Sequence, residues 1–248
     1  MIGGTALDDV LKGPGFENAD YWFPEFNVYA ELKCLAEDLI SDRQFQDTVR
    51  DMSLKWARQG RVKFPRGGYL ALDSMPVECQ EEFLQKLKRK LEGTVKKANK
   101  QVRGTKSEFG HTDASGMLIL VNDGNMLLQP PTLLGLLNRC LSNPQQFTSL
   151  QSVIVATVNE TVSLPDRGGN NWFWLHGYIL DRNDGGRSEA LARKLQGAIQ
   201  ELHSKLTGLN MSTLDLEPTA ALISTMKMHR HERGPVPSSA DVSGSRQA

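Results

Sequence analysis

The sequence predicts an α/β domain in which helices flank a central sheet, and three patterns support that prediction. Two strand-like runs lie on either side of a turn in the first 35 residues. A long amphipathic helix follows them, and after it comes an apolar run that is typical of a strand buried on both faces. Strands followed by a helix and a buried strand are the order of a layered α/β fold.

Three short elements are predicted at the start of the chain. A helix over 6–12 ends at the Gly13-Pro14-Gly15 break, because neither glycine nor proline continues a helix well. Strands are predicted over 20–23 and 28–34, on either side of the turn-like Pro24-Glu25-Phe26-Asn27 sequence. Together the two strands predict an antiparallel hairpin.

Two helices are predicted next. Residues 42–58 carry apolar side chains at spacings of four, three and four, which is helical periodicity. The longest helix is predicted over 76–106, because one stripe of apolar side chains runs along it. The stripe consists of Leu84, Leu87, Leu91, Val95, Ala98 and Val102.

The second half of the chain returns to strands. Residues 117–121 form the continuous apolar run Met-Leu-Ile-Leu-Val, closed by Asn122-Asp123-Gly124, and predict a strand buried on both faces. The remaining predicted elements are a helix over 130–140 that opens with two prolines, strands over 152–158 and 171–180, and a helix over 188–206.

Composition bounds the class of protein. Hydrophobic residues make up 39% of the chain and charged residues 23%, and no run of eighteen apolar residues occurs. Neither a membrane span nor a membrane partner is therefore expected, and the first dozen residues lack the apolar run of a secretory signal. Three cysteines without a CxxC pair favour a reducing, cytoplasmic location. With 29 basic and 29 acidic residues the net charge is zero, so nucleic-acid binding must depend on where charges lie.

The predicted domain organisation follows from these patterns. Residues 1–207 form a single domain, in which 35–75 is interpreted as an insertion between the hairpin and the long helix. Residues 208–233 are interpreted as a C-terminal extension. Residues 234–248 are rich in Ser, Pro, Gly and Ala and contain no aromatic residue, which predicts a disordered tail.

The position of the turn predicts the register of the hairpin. If the turn is centred between residues 25 and 26, the numbers of paired residues sum to 51, and Asp20 faces Glu31. One face, predicted to enter a core, carries Tyr21, Phe23, Val28, Ala30, Leu32 and Cys34. The other face carries Asn18, Asp20, Trp22, Tyr29, Glu31 and Lys33.

The second face has the composition of a metal-dependent phosphodiesterase site. Carboxylates directly opposite each other have Cβ atoms about 5 Å apart and destabilise a hairpin unless something offsets their charge. A divalent cation such as Mg²⁺ would do so, since it favours carboxylate oxygens. Lys33 projects from the same side as Glu31 and can orient water or stabilise charge that develops on a phosphoryl group.

Asp20 followed by Glu31-Leu32-Lys33 resembles the D…ExK signature of the PD-(D/E)XK, or restriction-endonuclease-like, nucleases. The resemblance covers about half the chain and implies a mixed central sheet flanked by helices. It also implies that Asp20 and Glu31 bind Mg²⁺ or Mn²⁺, that Lys33 assists the attacking water, and that Gln101 on the long helix is an accessory. DNA would be the substrate, in restriction, phage defence or mobile-element processing.

The end of the long helix is basic and adds a candidate DNA-binding surface. Arg89, Lys96, Lys100 and Arg103 follow helical spacing, and Lys97 lies one turn before Gln101. Beside the hairpin, such residues would neutralise backbone phosphates. A homodimer would suit a nuclease that cuts both strands, although no residue pattern demonstrates one.

Several alternatives remain open at the level of sequence. The basic helix and the hairpin face can be solvated surfaces, and the aromatic residues of 171–178 can cover a core rather than stack on bases. The His111-Thr112-Asp113 sequence can lie near the site or simply be a polar loop. The competing function is a non-catalytic nucleic-acid-binding or protein-interaction module. The sequence does not separate DNA from RNA.

Overall fold

A computed structural model of the chain describes most of the predicted domain. The described residues are 2–11, 17–36, 39, 41–63, 74–143, 145–158, 160–164, 167–171, 173–179, 182–208 and 227–230. The predicted tail over 234–248 lies outside them, as do most of the extension over 208–233 and part of 35–75.

Nine strands and five helices make up the described part of the chain. The strands are β1 (Thr5–Ala6), β2 (Tyr21–Phe23), β3 (Val28–Leu35), β4 (Ser115–Asn122), β5 (Ser152–Thr157), β6 (Glu160–Leu164), β7 (Arg167–Asn171), β8 (Trp174–Tyr178) and β9 (Lys227–Arg230). The helices are α1 (Leu7–Val10), α2 (Arg43–Arg58), α3 (Val77–Glu108), α4 (Pro130–Leu141) and α5 (Arg187–Thr207).

The main sheet has six strands in the order β1-β2-β3-β4-β5-β8. The three central strands, β3, β4 and β5, run parallel, whereas β1, β2 and β8 pair antiparallel with their neighbours. The parallel pairs are connected through helices, as parallel strands require. The predicted α/β architecture, with a mixed sheet flanked by helices, is confirmed at this level.

Helices cover both faces of the main sheet. On one face, α3 and α4 pack in a large core that includes Leu87, Leu91 and Val95 of the predicted α3 stripe. On the other face, Leu191 and Ala192 of α5 pack against β3, β4 and β5. The predicted β4 is thus buried from both sides, with Met117 and Leu118 both fully enclosed.

Helix α2 begins at a side-chain N-cap and packs into the main core. Asp42 caps α2, because its carboxylate accepts hydrogen bonds from the amides of Gln44 and Phe45. Phe45 and Trp56 of α2 belong to the same large core as α3. Although α2 falls within the range interpreted as an insertion, it therefore packs as part of the domain.

The structure corrects several predicted boundaries. Ala6, predicted as the start of a helix, is part of the edge strand β1, and α1 is confined to Leu7–Val10. The strand predicted over 171–180 divides, because Asn171 ends β7 and the main sheet gains only Trp174–Tyr178. A second sheet in the order β7-β6-β9 was not predicted.

Two expectations from composition can be compared with the structure. Among the described residues, no helix combines the length and the apolar character needed to cross a bilayer. Cys34, Cys79 and Cys140 are not joined by disulfides.

Candidate active site

The predicted register of the hairpin is confirmed. β2 and β3 pair antiparallel with Tyr21 opposite Ala30, Trp22 opposite Tyr29, and Phe23 opposite Val28. The turn between them is a short 3-10 helix whose last cap, Asn27, has a left-handed backbone. Asp20 directly precedes β2 and lies beside Glu31, as the register predicts.

The predicted core face of the hairpin is confirmed for Phe23, Val28 and Ala30, but its extension to the end of β3 is wrong, and the opposite face is buried as well. β3 is an interior strand, and its first half is buried on both faces, including Tyr29 and Glu31. By contrast Leu32 and Cys34, predicted to enter the core, are exposed. The reason is that α5 packs against the Val28 end of the strand and leaves the Cys34 end uncovered.

Asp20 is held by the backbone of the neighbouring strand. Its Oδ2 accepts a hydrogen bond of 2.7 Å from the amide of Leu32, and its own amide donates to Glu31 Oε2 at 3.2 Å. The two acidic residues are therefore interlocked, since each side chain accepts from the other strand's backbone. Asp20 remains half-buried, so its carboxylate is reachable from solvent.

Glu31 is the most unusual group at this junction, because its side chain is fully buried. Its other oxygen, Oε1, accepts a hydrogen bond from Lys33 Nζ, whose side chain is 20% exposed. Burial raises the pKa of Glu31 from 4.5 to about 7, and the negative charge of Asp20 adds to that rise. The hydrogen bond from Lys33 acts in the opposite direction and favours the charged carboxylate.

Helix α3 fixes the residues that lead into Asp20. Gln101 Nε2 donates to the carbonyl of Asn18 at 3.0 Å, and Thr105 Oγ1 accepts from the amide of Ala19 at 2.7 Å. Gln101 is 8% exposed, and among the described residues no donor reaches its Oε1. A buried amide oxygen without a partner is a position where a water molecule or the hydration shell of a cation can bind.

Only some of the predicted basic residues lie near the segment that leads into Asp20. Lys97 and Lys100 lie 3.5 and 3.8 Å from the carboxylate of Glu17, three residues before Asp20. Lys96 instead pairs with Glu92 at 2.7 Å on the same helix, and Arg103 is exposed one turn beyond Lys100.

Arg89 does not lie near the candidate site. It is twelve residues before Gln101 in α3, which corresponds to about 18 Å along the helix axis. There it lines a groove between α2 and α3 together with acidic residues that include Glu78, Glu81 and Glu82. Arg89 and the predicted basic residues that follow it share one side of α3, but they extend too far along the helix for all of them to lie at one site.

Few side chains are available to bind a metal ion where Asp20 meets β3. Within the described part of the chain, no group of three or more His, Cys, Asp or Glu side chains is arranged to hold a metal ion. Asp20 and Glu31 supply two carboxylates. That number fits Mg²⁺, which is usually held by one or two carboxylates and keeps several waters.

Two groups at the site were missed by sequence analysis. Thr105 is fully buried and its hydroxyl also donates to the carbonyl of Gln101, so it links α3 to the strand entry. The amide of Leu32 holds the carboxylate of Asp20. Thr105 follows Gln101 by four positions and so shares its side of the helix, which was the only available signal.

Comparison of the chain with protein-family models, with curated proteins and with solved structures finds no match. What supports a function is therefore the geometry of Asp20, Glu31 and Lys33, together with the resemblance of their spacing to the D…ExK signature.

Proposed function

We propose that this protein is a metal-dependent nuclease that hydrolyses DNA phosphodiester bonds at the junction of Asp20, Glu31 and Lys33. The observation that carries the proposal is the register of β2 and β3, which brings two acidic side chains together beside a lysine. Phosphodiester hydrolysis needs negative charge offset at the phosphate and a water molecule aligned for attack. Two carboxylates that can hold a cation, and a lysine that can orient water, are suited to those two tasks.

Asp20 and Glu31 are the residues that would hold Mg²⁺ or Mn²⁺. A carboxylate that is fully buried, as Glu31 is, costs free energy when charged unless a cation lies beside it. Lys33 supplies only one positive charge beside two acidic residues, so a bound cation would offset the remaining negative charge. When bound, a divalent metal polarises a phosphoryl oxygen and lowers the pKa of water.

Lys33 is positioned to act on the substrate rather than only on Glu31. Its ammonium group has three donors, of which the hydrogen bond to Glu31 uses one. Because its side chain is partly exposed, the remaining donors can orient a water molecule or bind a phosphate oxygen. Lys97 and Lys100, at the entry to β2, would neutralise neighbouring phosphates and make binding sensitive to salt.

The test is cleavage of supercoiled plasmid and of single-stranded DNA in Mg²⁺, Mn²⁺ or EDTA. Lys33→Ala is expected to lower the cleavage rate about 10²–10³-fold, the usual loss when one preorganised donor is removed. Asp20→Asn keeps an acceptor for the Leu32 amide and removes the charge, so the hairpin should fold while cleavage is lost.

The matched control is Lys205→Ala, which removes an exposed lysine of α5 whose described ion pair is with Glu201. It should cleave like the wild type. Cleavage that continues in EDTA, or that survives in both Lys33→Ala and Asp20→Asn, would show that this junction is not a metal-dependent active site.

A further inference from the structure

Four aromatic rings form a cluster next to the carboxylates on the hairpin. Trp22 stacks on Tyr29 with ring centroids 4.2 Å apart, and His111 lies 5.1 Å from Trp22. Phe109, at the end of α3, stacks on both Tyr29 and His111 at 6.3 and 6.0 Å. None of these rings has a part in the hydrolysis proposed above.

The cluster has a buried base and an accessible rim. Tyr29 is 1% exposed and its hydroxyl is hydrogen-bonded to His111 Nδ1 at 2.8 Å, which fixes the orientation of the histidine ring. Trp22 and His111 are partly exposed, and Phe109 is 37% exposed. Large aromatic rings at a surface that are held rigid by their neighbours are suited to binding a flat ligand.

The position of the cluster relates it to the candidate site. Tyr29 and Glu31 are two positions apart in β3, so their side chains project from the same face about 7 Å apart. Trp22 lies opposite Tyr29 in the ladder, just as Asp20 lies beside Glu31. A phosphate at the carboxylates would therefore place the adjoining nucleotide at the aromatic rim.

We infer that the rim formed by Trp22, Phe109 and His111 stacks an unpaired base that adjoins the scissile phosphate. This inference rests on the proposed nuclease function and names its substrate class as single-stranded or frayed DNA. Stacking on protein rings requires a free π-face, which every base offers when it is unpaired. In a duplex both faces are covered by neighbouring bases, so the protein would have to pull the base out of the stack at a cost.

The experiment compares binding of a fluorescently labelled single-stranded DNA 20-mer with binding of the same sequence as a duplex, in EDTA so that no DNA is cut. Phe109→Ala is expected to weaken single-strand binding about tenfold, because one base–aromatic stack is worth roughly that factor. Duplex binding should change less than about twofold. Phe109→Tyr keeps the ring and should retain the single-strand affinity.

Phe26→Ala is the matched control, since Phe26 lies on the same hairpin but its ring faces Lys194 of α5. It should bind both DNAs like the wild type. The inference is overturned if Phe109→Ala weakens both DNAs equally, or leaves single-strand binding unchanged while circular dichroism shows a folded protein.

Cleavage by the same variants in Mg²⁺ separates this inference from the proposed function. If the wild type cuts DNA and Phe109→Ala cuts single strands and duplex in the wild-type ratio, the nuclease function stands and the stacking rim is wrong. If no DNA is cut with any metal, the nuclease function and the substrate class drawn from it both fail.

Discussion

At the scale of single residues, Glu31 couples the stability of the protein to pH. Burial raises its pKa from 4.5 to about 7, so the folded protein holds this proton more tightly than the unfolded chain does. The resulting stabilisation is fully present below pH 4.5 and is lost as pH rises through about 7. Between those values, this one group lowers the stability of the metal-free protein with increasing pH.

Glu31→Gln should remove that dependence, because glutamine is uncharged at every pH in the range. In EDTA, the free energy of unfolding of the wild type is expected to fall between pH 5 and pH 7.5 relative to that of the variant. Urea denaturation at the two pH values measures the difference. Parallel pH dependences in the two proteins would show that Glu31 titrates normally in the folded state.

Thr105 makes a second prediction about a single residue. Thr105→Val keeps the shape of the side chain and removes the acceptor of the buried Ala19 amide. An unpaired buried amide costs about 1–3 kcal/mol, so the free energy of unfolding should fall by that amount. Under the proposed nuclease function, DNA cleavage should fall as well, because Ala19 positions Asp20.

The control for Thr105 is Thr105→Ser, which retains the hydroxyl and should keep most of the activity. Denaturation and cleavage are measured on both variants. Equal losses in the serine and valine variants would assign the effect to packing of the methyl group instead of the hydrogen bond.

At the scale of elements, the contact between β4 and the loop before β5 is unusually close. A Cβ atom added at Gly116 would lie 2.0 Å from the backbone oxygen of Ser149 and 2.7 Å from the side chain of Val102. Gly116→Ala is therefore expected to destabilise the protein by about 1–3 kcal/mol or more, because backbone on one side cannot move aside cheaply.

Gly135→Ala gives the matched comparison. Gly135 lies in α4 and a Cβ atom there would meet nothing within 4 Å. Alanine should stabilise the helix by about 0.5–1 kcal/mol. Thermal unfolding of both variants measures the contrast, and similar shifts in the two would contradict the close approach at Gly116.

Features of the hairpin that depend on neighbouring residues could be predicted from the sequence, whereas features that depend on distant elements could not. The register that pairs Asp20 with Glu31 follows from the turn and from side-chain alternation, both of which are local. The exposure of Leu32 depends on where α5 packs, and α5 lies more than 150 positions further along the chain. The burial of Tyr29 depends on the core on the opposite face, which includes residues of α3. No pattern within the hairpin could show that.

The second sheet was missed for a related reason. β7 consists of Arg-Gly-Gly-Asn-Asn, which lacks the β-branched and aromatic residues that are enriched in strands. It is a strand because β6 pairs with it, and β9, the other partner of β6, begins at Lys227. Pairing between distant segments overrides weak local propensity.

At the scale of the whole molecule, charge is distributed so that the net charge says little about function. The chain carries equal numbers of acidic and basic residues, and many exposed cations are paired, such as Lys90 with Asp42 and Arg139 with Glu81. Because these ion pairs offset their cations, positive charge at the surface is local rather than global.

The two hydrogen bonds from α3 to the entry of β2 span 83 and 86 positions of the chain. During synthesis, Asp20 and Glu31 leave the ribosome long before Gln101 and Thr105 exist, and contacts so distant in sequence form late in folding. A nascent chain would carry both carboxylates without the support that aligns them. The entry to β2 is therefore fixed in place only after most of α3 has been synthesised.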